Sequence, residues 1–260
     1  MPLPRKGSKR EQEVVGGGAS PVVTAWLANG RPPGPCLILD GVAVQRRGRR
    51  VVQVGHLSIG SGSCVLTGAN GSGKSSLLMA VAGLVRCAGE VRVMNAVHSQ
   101  GRMAIAYLPQ EPTGLDHLTV LQAVRFAQAL TGAATEVDAA RHVEAVGLSA
   151  QIDERISRLS GGQRRLAYLA TLLAQSASVL LLDEPTVGLD ASHRLAVRQV
   201  LVHAATTHVV VMATHLPDDL EALGDRMIVL RRGEVVFDGT SASFRGGQDW
   251  DGALSAWELS

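Results

Sequence analysis

Aromatic residues are scarce in this 260-residue chain, 3% of the total, and none lies between Trp26 and Tyr107. No aromatic ring in that stretch is available to stack on a ligand. Lysine is scarcer still, because after Lys9 there is only Lys74 and every other cation is arginine or histidine. Long apolar runs are missing too. None approaches the roughly 20 residues that a membrane-spanning helix needs, and the apolar patches within residues 14–28 are broken by glycine and proline, unlike a signal peptide. These two absences predict a protein that remains in the cytoplasm. Cys36, Cys64 and Cys87 show no paired spacing, which argues against a disulfide framework and fits a reducing compartment. A net charge of +2 argues against a nucleic-acid partner, although Arg5, Lys6, Lys9 and Arg10 make the first residues basic.

What is present begins with that isolated lysine. Lys74 lies in Gly68-Ala69-Asn70-Gly71-Ser72-Gly73-Lys74-Ser75-Ser76, which fits G-x-x-x-x-G-K-[ST] without a gap. A compact ammonium on a slim stem can lie along bound phosphates where a planar guanidinium fork would not fit. Gly68, Gly71 and Gly73 allow backbone conformations that aim successive N–H groups at an anion, with Asn70 and Ser72 between them. Residues 64–67 read as a short buried strand and residues 77–81 as the start of an apolar helix, so the loop has the strand-before, helix-after context that a phosphate site requires. Ser75 is the candidate hydroxyl for Mg²⁺ and Ser76 a second phosphate donor.

Further segments follow in order. An apolar strand over residues 105–108 leads to Gln110, and Leu159-Ser160-Gly161-Gly162-Gln163 precedes a predicted helix over residues 163–175. Residues 179–182 form an apolar run ending in Asp183 and Glu184, as expected of a central parallel strand buried on both faces. Asp183 can hold the hydration shell of Mg²⁺, and Glu184 can polarise an attacking water. Then come Gly188-Leu189-Asp190 and, after a strand over residues 209–213, Thr214-His215.

In this order and spacing, residues 37–239 resemble the ATP-binding cassette of an ABC transporter. The resemblance implies an α/β fold: a P-loop NTPase core with a mainly parallel sheet, an antiparallel β subdomain and an inserted helical subdomain carrying the signature. It implies a Mg²⁺-dependent ATPase in which Gln110 touches metal and water and couples the site to a transmembrane permease. Ser160, Gly161, Gly162 and Gln163 would contact ATP held by a second copy in a head-to-tail dimer. Asp190 would link the two half-sites, and His215 would contact the γ-phosphate. The start of such an anion site is also physical, since a serine hydroxyl and two glycine amides open a helix there. One departure is visible in Gln45-Arg46-Arg47-Gly48, where Arg47 falls at the position of an adenine-stacking aromatic. An arginine plane can also stack on a base, so weaker base discrimination is expected.

The expected organisation is a disordered tail over residues 1–35, an ATPase domain over 36–240 and a C-terminal segment over 241–260. Strands are predicted over 36–44 and 51–59 and, near the end, over 225–230 and 234–238. A helical insert at about 111–176 should open with a capping box of Thr119 and Gln122, and a second cap of Thr135 with Asp138 should start a helix to Val146. Trp250, Leu254 and Trp257 recur at helical spacing and are expected to pack back on the domain. A homodimer, a permease partner and a place on the inner face of the cell membrane follow from the resemblance. So does export, since HLTV at 117–120, DEPTVGLD at 183–190 and VVFDGT at 235–240 are similar to bacterial exporter ATPases. The other class that carries these motifs is a soluble cassette protein acting in cofactor assembly, translation or repair.

Overall fold

The apolar runs of the sequence become the middle of one sheet. The computed structural model describes residues 36–94, 104–131, 136–175 and 177–259, all within a unit spanning 33–260, and the expected tail lies outside them. The strands are β1 (Cys36–Arg46), β2 (Arg49–Gly60), β3 (Gly62–Thr67), β4 (Cys87–Met94), β5 (Ile105–Leu108), β6 (Val179–Asp183), β7 (Val209–Ala213), β8 (Arg226–Arg231) and β9 (Glu234–Gly239). Among the described residues they lie in the order β4-β1-β2-β9-β8-β3-β7-β6-β5. β3, β5, β6, β7 and β8 run parallel to one another, whereas β8 pairs antiparallel with β9, and β1 pairs antiparallel with both β2 and β4. The fold class is therefore the expected α/β core with an antiparallel β wing.

The helices are α1 (Lys74–Val81), α2 (Val120–Thr131), α3 (Glu136–Ala145), α4 (Gly161–Leu173), α5 (Ala191–Ala204), α6 (Pro217–Leu223), α7 (Ser241–Arg245) and α8 (Trp250–Leu259). They cover both faces of the parallel strands, and the strand side chains divide with period two. Leu180, Leu182, Val210 and Met212 join the cluster containing α4, while Val179, Leu181, Val209 and Val211 join the one containing α1. All five residues of β6 are buried. Each such leucine contributes roughly 1.5–3 kcal/mol when removed from water, which explains why this strand reads as unbroken apolar sequence.

Three expectations are corrected. β4 was not foreseen, because its residues Cys87 to Met94 are mostly exposed and polar alternates irregularly with apolar. α4 begins at Gly161 and ends at Leu173, two residues ahead of the predicted span at both ends, because Ser160 caps it and fixes the start. The insert's capping box does form, with Thr119 N donating to Gln122 Oε1 at 3.0 Å and Gln122 N to Thr119 Oγ1 at 3.2 Å. α3, however, ends at Ala145, and Thr135 lies outside the described residues. Trp250 and Leu254 of α8 pack on the core, with Trp250 Nε1 donating to Glu221 at 2.9 Å; the side chain of Trp257 lies outside the described residues. All three cysteines are free, and burial pushes the Cys64 thiol up to about 12.

Candidate functional site

β3 delivers the chain into the glycine loop, and the loop is shaped by backbone from elsewhere in the sheet. Gly68 adopts φ 138°, and a β-carbon there would lie 2.1 Å from the carbonyl oxygen of Leu230 in β8. Gly73, at φ 108°, caps α1, and its β-carbon would lie 2.9 Å from the Val51 carbonyl oxygen of β2. Only glycine meets both demands. The loop is tied from the far side as well, where Gly233 N donates to the Ser72 carbonyl at 2.9 Å.

Lys74 curls back over this loop, its Nζ donating to the carbonyls of Gly68 at 2.7 Å and Ala69 at 3.2 Å. Beside it runs a cleft of about 870 Å³ lined by residues 67–72, His215 and residues 229–232, with Phe244 and Leu254 at its apolar end. Two hydroxyls in the lining, Thr67 Oγ1 and Ser72 Oγ, are buried with no hydrogen-bond partner. Buried hydroxyls without partners are costly, and both of these border the glycine loop. Asn70 and Gly71 are exposed at the loop's crest, while Ser75 and Ser76 are half-buried on the first turn of α1.

At the end of β6, Asp183 is buried and accepts hydrogen bonds from Ser75 and, at 3.3 Å, from the Tyr107 hydroxyl. Burial raises its carboxyl above the usual aspartate range, with the Ser75 and Tyr107 bonds acting in the opposite direction. This donor set suits Mg²⁺. A hydroxyl and a carboxylate offer hard oxygens, and no group of three or more His, Cys, Asp or Glu among the described residues could hold a metal alone. Such an ion keeps waters and uses substrate phosphates to complete its shell.

Glu184 follows in a left-handed conformation, φ 47°, which is strained for a residue with a β-carbon. The turn swings its carboxylate between two side chains from other strand ends. Gln110 Nε2 donates to Glu184 Oε2 at 3.3 Å, and His215 Nδ1 lies 3.3 Å from Glu184 Oε1. Gln110 is thus bonded to the second member of the acid pair. The three groups together can hold and polarise a water.

The second group of predicted residues stands elsewhere. Ser160 Oγ accepts from Gln163 N at 3.2 Å, and Gln163 Oε1 accepts from Ser160 N at 3.2 Å, a complete capping box. The Ser160 hydroxyl proton and the Gly161 and Gly162 amides at the head of α4 take no part in this box. Asp190 caps α5, accepting from His193 N at 2.9 Å, from Ser192 Oγ at 2.7 Å and facing His193 Nδ1 at 2.7 Å. These bonds, led by the His193 amide, hold its carboxyl well below the usual range. The His193 ring also lies against Gly162, where a β-carbon would come within 2.9 Å. None of these residues lines the cleft beside Lys74. Arg47 does not line it either: the residue is exposed in the β1–β2 turn, and its neighbour Arg46 is the one that reaches α1, Nη2 standing 3.6 Å from Met79 Sδ.

Three contributors escaped the sequence reading. Tyr107 holds Asp183, and Arg165 of α4 donates from Nη1 to the Gln110 carbonyl at 2.5 Å. His193 joins Asp190 to Gly162. The signal available for the first was scarcity, since the chain has only two tyrosines. The other one, Tyr168, accepts from Leu115 N at 3.1 Å, so both serve the strand and loop around Gln110.

Comparison with known proteins agrees with this geometry. Residues 54–187, just over half the chain, match the family described as ABC transporter. The thiamine import ATP-binding protein ThiQ of Chelativorans sp. (strain BNC1) is 32% identical over 224 residues, covering 83% of this chain and 91% of that protein. The molybdenum import ATP-binding protein ModC of Methylococcus capsulatus is 32% identical over 190 residues; the match covers 69% of this chain but only about half, 53%, of that relative. A solved structure, of an ATP binding subunit of an ABC transporter, superposes with TM-score 0.75 at 20% identity over 86% of this chain and 99% of that one, which shows the shared fold. The glycine loop, the acid pair, these relatives and the matched family together place the chain in the ABC transporter family, whose ATP-binding members hydrolyse ATP.

Proposed function

We propose that this chain is the subunit that binds and hydrolyses Mg²⁺-ATP to energise a separate membrane permease, on the cytoplasmic face of the membrane, through an ATP-driven head-to-tail homodimer. The observation that carries the reading is the meeting of Glu184 with Gln110 and His215 beside the loop of Lys74. In this reading Lys74, the loop amides of residues 68–76 and the Ser72 hydroxyl hold phosphate. Ser75 and Asp183 hold the metal, which supplies charge neutralisation on the phosphates. Glu184 orients the water, and Gln110 and His215 hold Glu184 and the reacting end in register. Ser160, Gly161, Gly162, Gln163 and Asp190, standing outside the cleft, serve the nucleotide of the second copy. No helix of the described residues is long and apolar enough to cross a membrane, in keeping with a permease on another chain.

Glu184→Gln should bind ATP, hydrolyse it at least about 10²-fold more slowly and accumulate as an ATP-dependent dimer in gel filtration. A Glu184→Gln protein that stays monomeric and turns over normally would sink the assignment. The permease is expected on the exposed face of α2, where Phe126 and Leu130 are open to solvent one turn apart. Arg125→Glu is the probe there, a charge reversal on the exposed face of α2 that leaves the capping box of Thr119 and Gln122 in place. It should reduce recovery of an integral membrane protein from solubilised membranes while leaving the isolated ATPase nearly intact; recovery of soluble partners alone by the wild-type chain would overturn the transporter reading. Both relatives named above are import proteins, whereas HLTV, DEPTVGLD and VVFDGT support export. ATP-driven flux in inside-out vesicles decides the direction.

A further inference from the structure

Behind the hydrolytic groups lies a polar junction in which every partner is accounted for. Asp219, on α6, is wholly buried, as are Thr186 and Thr214. Its Oδ2 accepts from the Thr186 hydroxyl in a short bond and from Thr214 Oγ1 at 3.0 Å, and its Oδ1 accepts from Arg198 Nε at 2.6 Å. Thr214 Oγ1 in turn accepts from Leu216 N at 3.1 Å. A carboxylate withdrawn from water is tolerated only when so completely bonded, and such a network fixes distances and angles that apolar packing would leave loose.

Each of its ends leads to a residue of the site. Thr186 follows Glu184 by two positions, Thr214 immediately precedes His215, and Arg198 lies on the helix that Asp190 caps. Glu184 is held in a strained left-handed turn, whose persistence requires that the surrounding chain over-determine it. We infer that Asp219 is a positioning residue for ATP hydrolysis. Through the two threonines it sets the 3.3 Å approach of His215 to Glu184, and through Arg198 it ties that pair to the segment ending at Asp190. The inference rests on the hydrolytic reading above, since it assigns Asp219 a part in the same site without contact to nucleotide.

The test uses the full chain with Thr186→Val, Thr214→Val, Asp219→Asn and, in parallel, Glu184→Gln. Valine keeps the shape of threonine and removes one bond of the junction, so the threonine variants carry the test even where Asp219→Asn fails to fold. Expected for each threonine variant is a fall in kcat of at least about tenfold, and of up to on the order of 10²-fold, as a misplaced reacting group produces. KM for ATP and binding of a fluorescent ATP analogue should stay within about twofold of wild type. The imidazole ¹⁵N resonances of His215 should shift in Thr214→Val. If both threonine variants melt earlier yet keep wild-type kcat and an unchanged His215 signal, the junction is only structural and the inference is overturned. Loss of turnover in Glu184→Gln with full turnover in the threonine variants removes the positioning role alone. Wild-type turnover in Glu184→Gln removes the hydrolytic reading and the inference with it.

Discussion

The two glycine-rich segments of this chain, one ahead of α1 and the other ahead of α4, are built in opposite ways. In the first, Gly68 and Gly73 are pressed against backbone of β8 and β2, so the loop is finished by its own chain. In the second, Ser160 and Gly161 are exposed, and a β-carbon on Gly161 would meet nothing within 4 Å. Gly162 there lies against an internal group, the His193 ring. A loop completed from within is a rigid cradle. A helix N-terminus left open is the form expected of a surface completed from outside, and on the proposed reading the difference separates residues that fold the site from residues that meet a partner.

The sharpest way to break the contrast is to put the same methyl group in both places. Gly68→Ala should destabilise the fold by about 2–4 kcal/mol and abolish nucleotide binding, because backbone strain and a backbone clash coincide there. Gly161→Ala should leave stability within about 1 kcal/mol of wild type, or raise it, since helical glycine replaced by alanine restricts the unfolded chain. Its loss should appear only in the ATP-dependent dimer. Urea melts and gel filtration read both, and equal destabilisation by the two changes would erase the distinction.

Asp183 offers the next test, within the closed half. Folding raises its pKa, so the stability linked to this group is full below the ordinary aspartate pKa and is lost as pH rises through the raised value. Asp183→Asn should therefore be more stable than wild type near pH 7, with little difference in acid, while losing Mg²⁺-dependent nucleotide affinity. A thermal melt at the two pH values checks the sign.

In the open half, His193→Ala removes the ring from Gly162 and a partner from Asp190. Little change in stability is expected, because Asp190 is exposed, together with weaker dimerisation in ATP. The smallest effect concerns the base. With Arg47 in place of an aromatic, ATP and GTP should compete within a few-fold of each other, and Arg47→Tyr should shift preference toward ATP by about 1 kcal/mol at most. A strong native ATP preference unaltered by Arg47→Ala would remove Arg47 from the site.

Much of this molecule was legible in the linear chain wherever the physics is local. The apolar runs of β6 and β7, the strand-loop-helix around Lys74 and the box at Thr119 depend on residues close to one another in the chain. Backbone geometry and hydrogen bonding set them without reference to the rest of the fold. Misread boundaries had the same origin: Ser160 satisfies the first amides of α4, so the helix starts at Gly161 ahead of its apolar stripe.

What the sequence could not decide is who meets whom across long separations. The approach of Gln110 to Glu184, of Tyr107 to Asp183 and of Arg165 to the Gln110 carbonyl follows from β5 lying beside β6. The junction at Asp219 follows from β7 lying between β3 and β6, which brings Thr186 and Thr214 to one buried carboxylate. Nor could the sequence show that Arg46 rather than Arg47 reaches α1, since a turn residue at φ 49° redirects its neighbours. The chain alone determined which chemistry was present and which segments would be buried, because residue type and periodicity carry that information directly. Only the tertiary structure decided how the groups are aimed, because strand order and packing, unlike a cap or a turn, are properties of the whole chain at once.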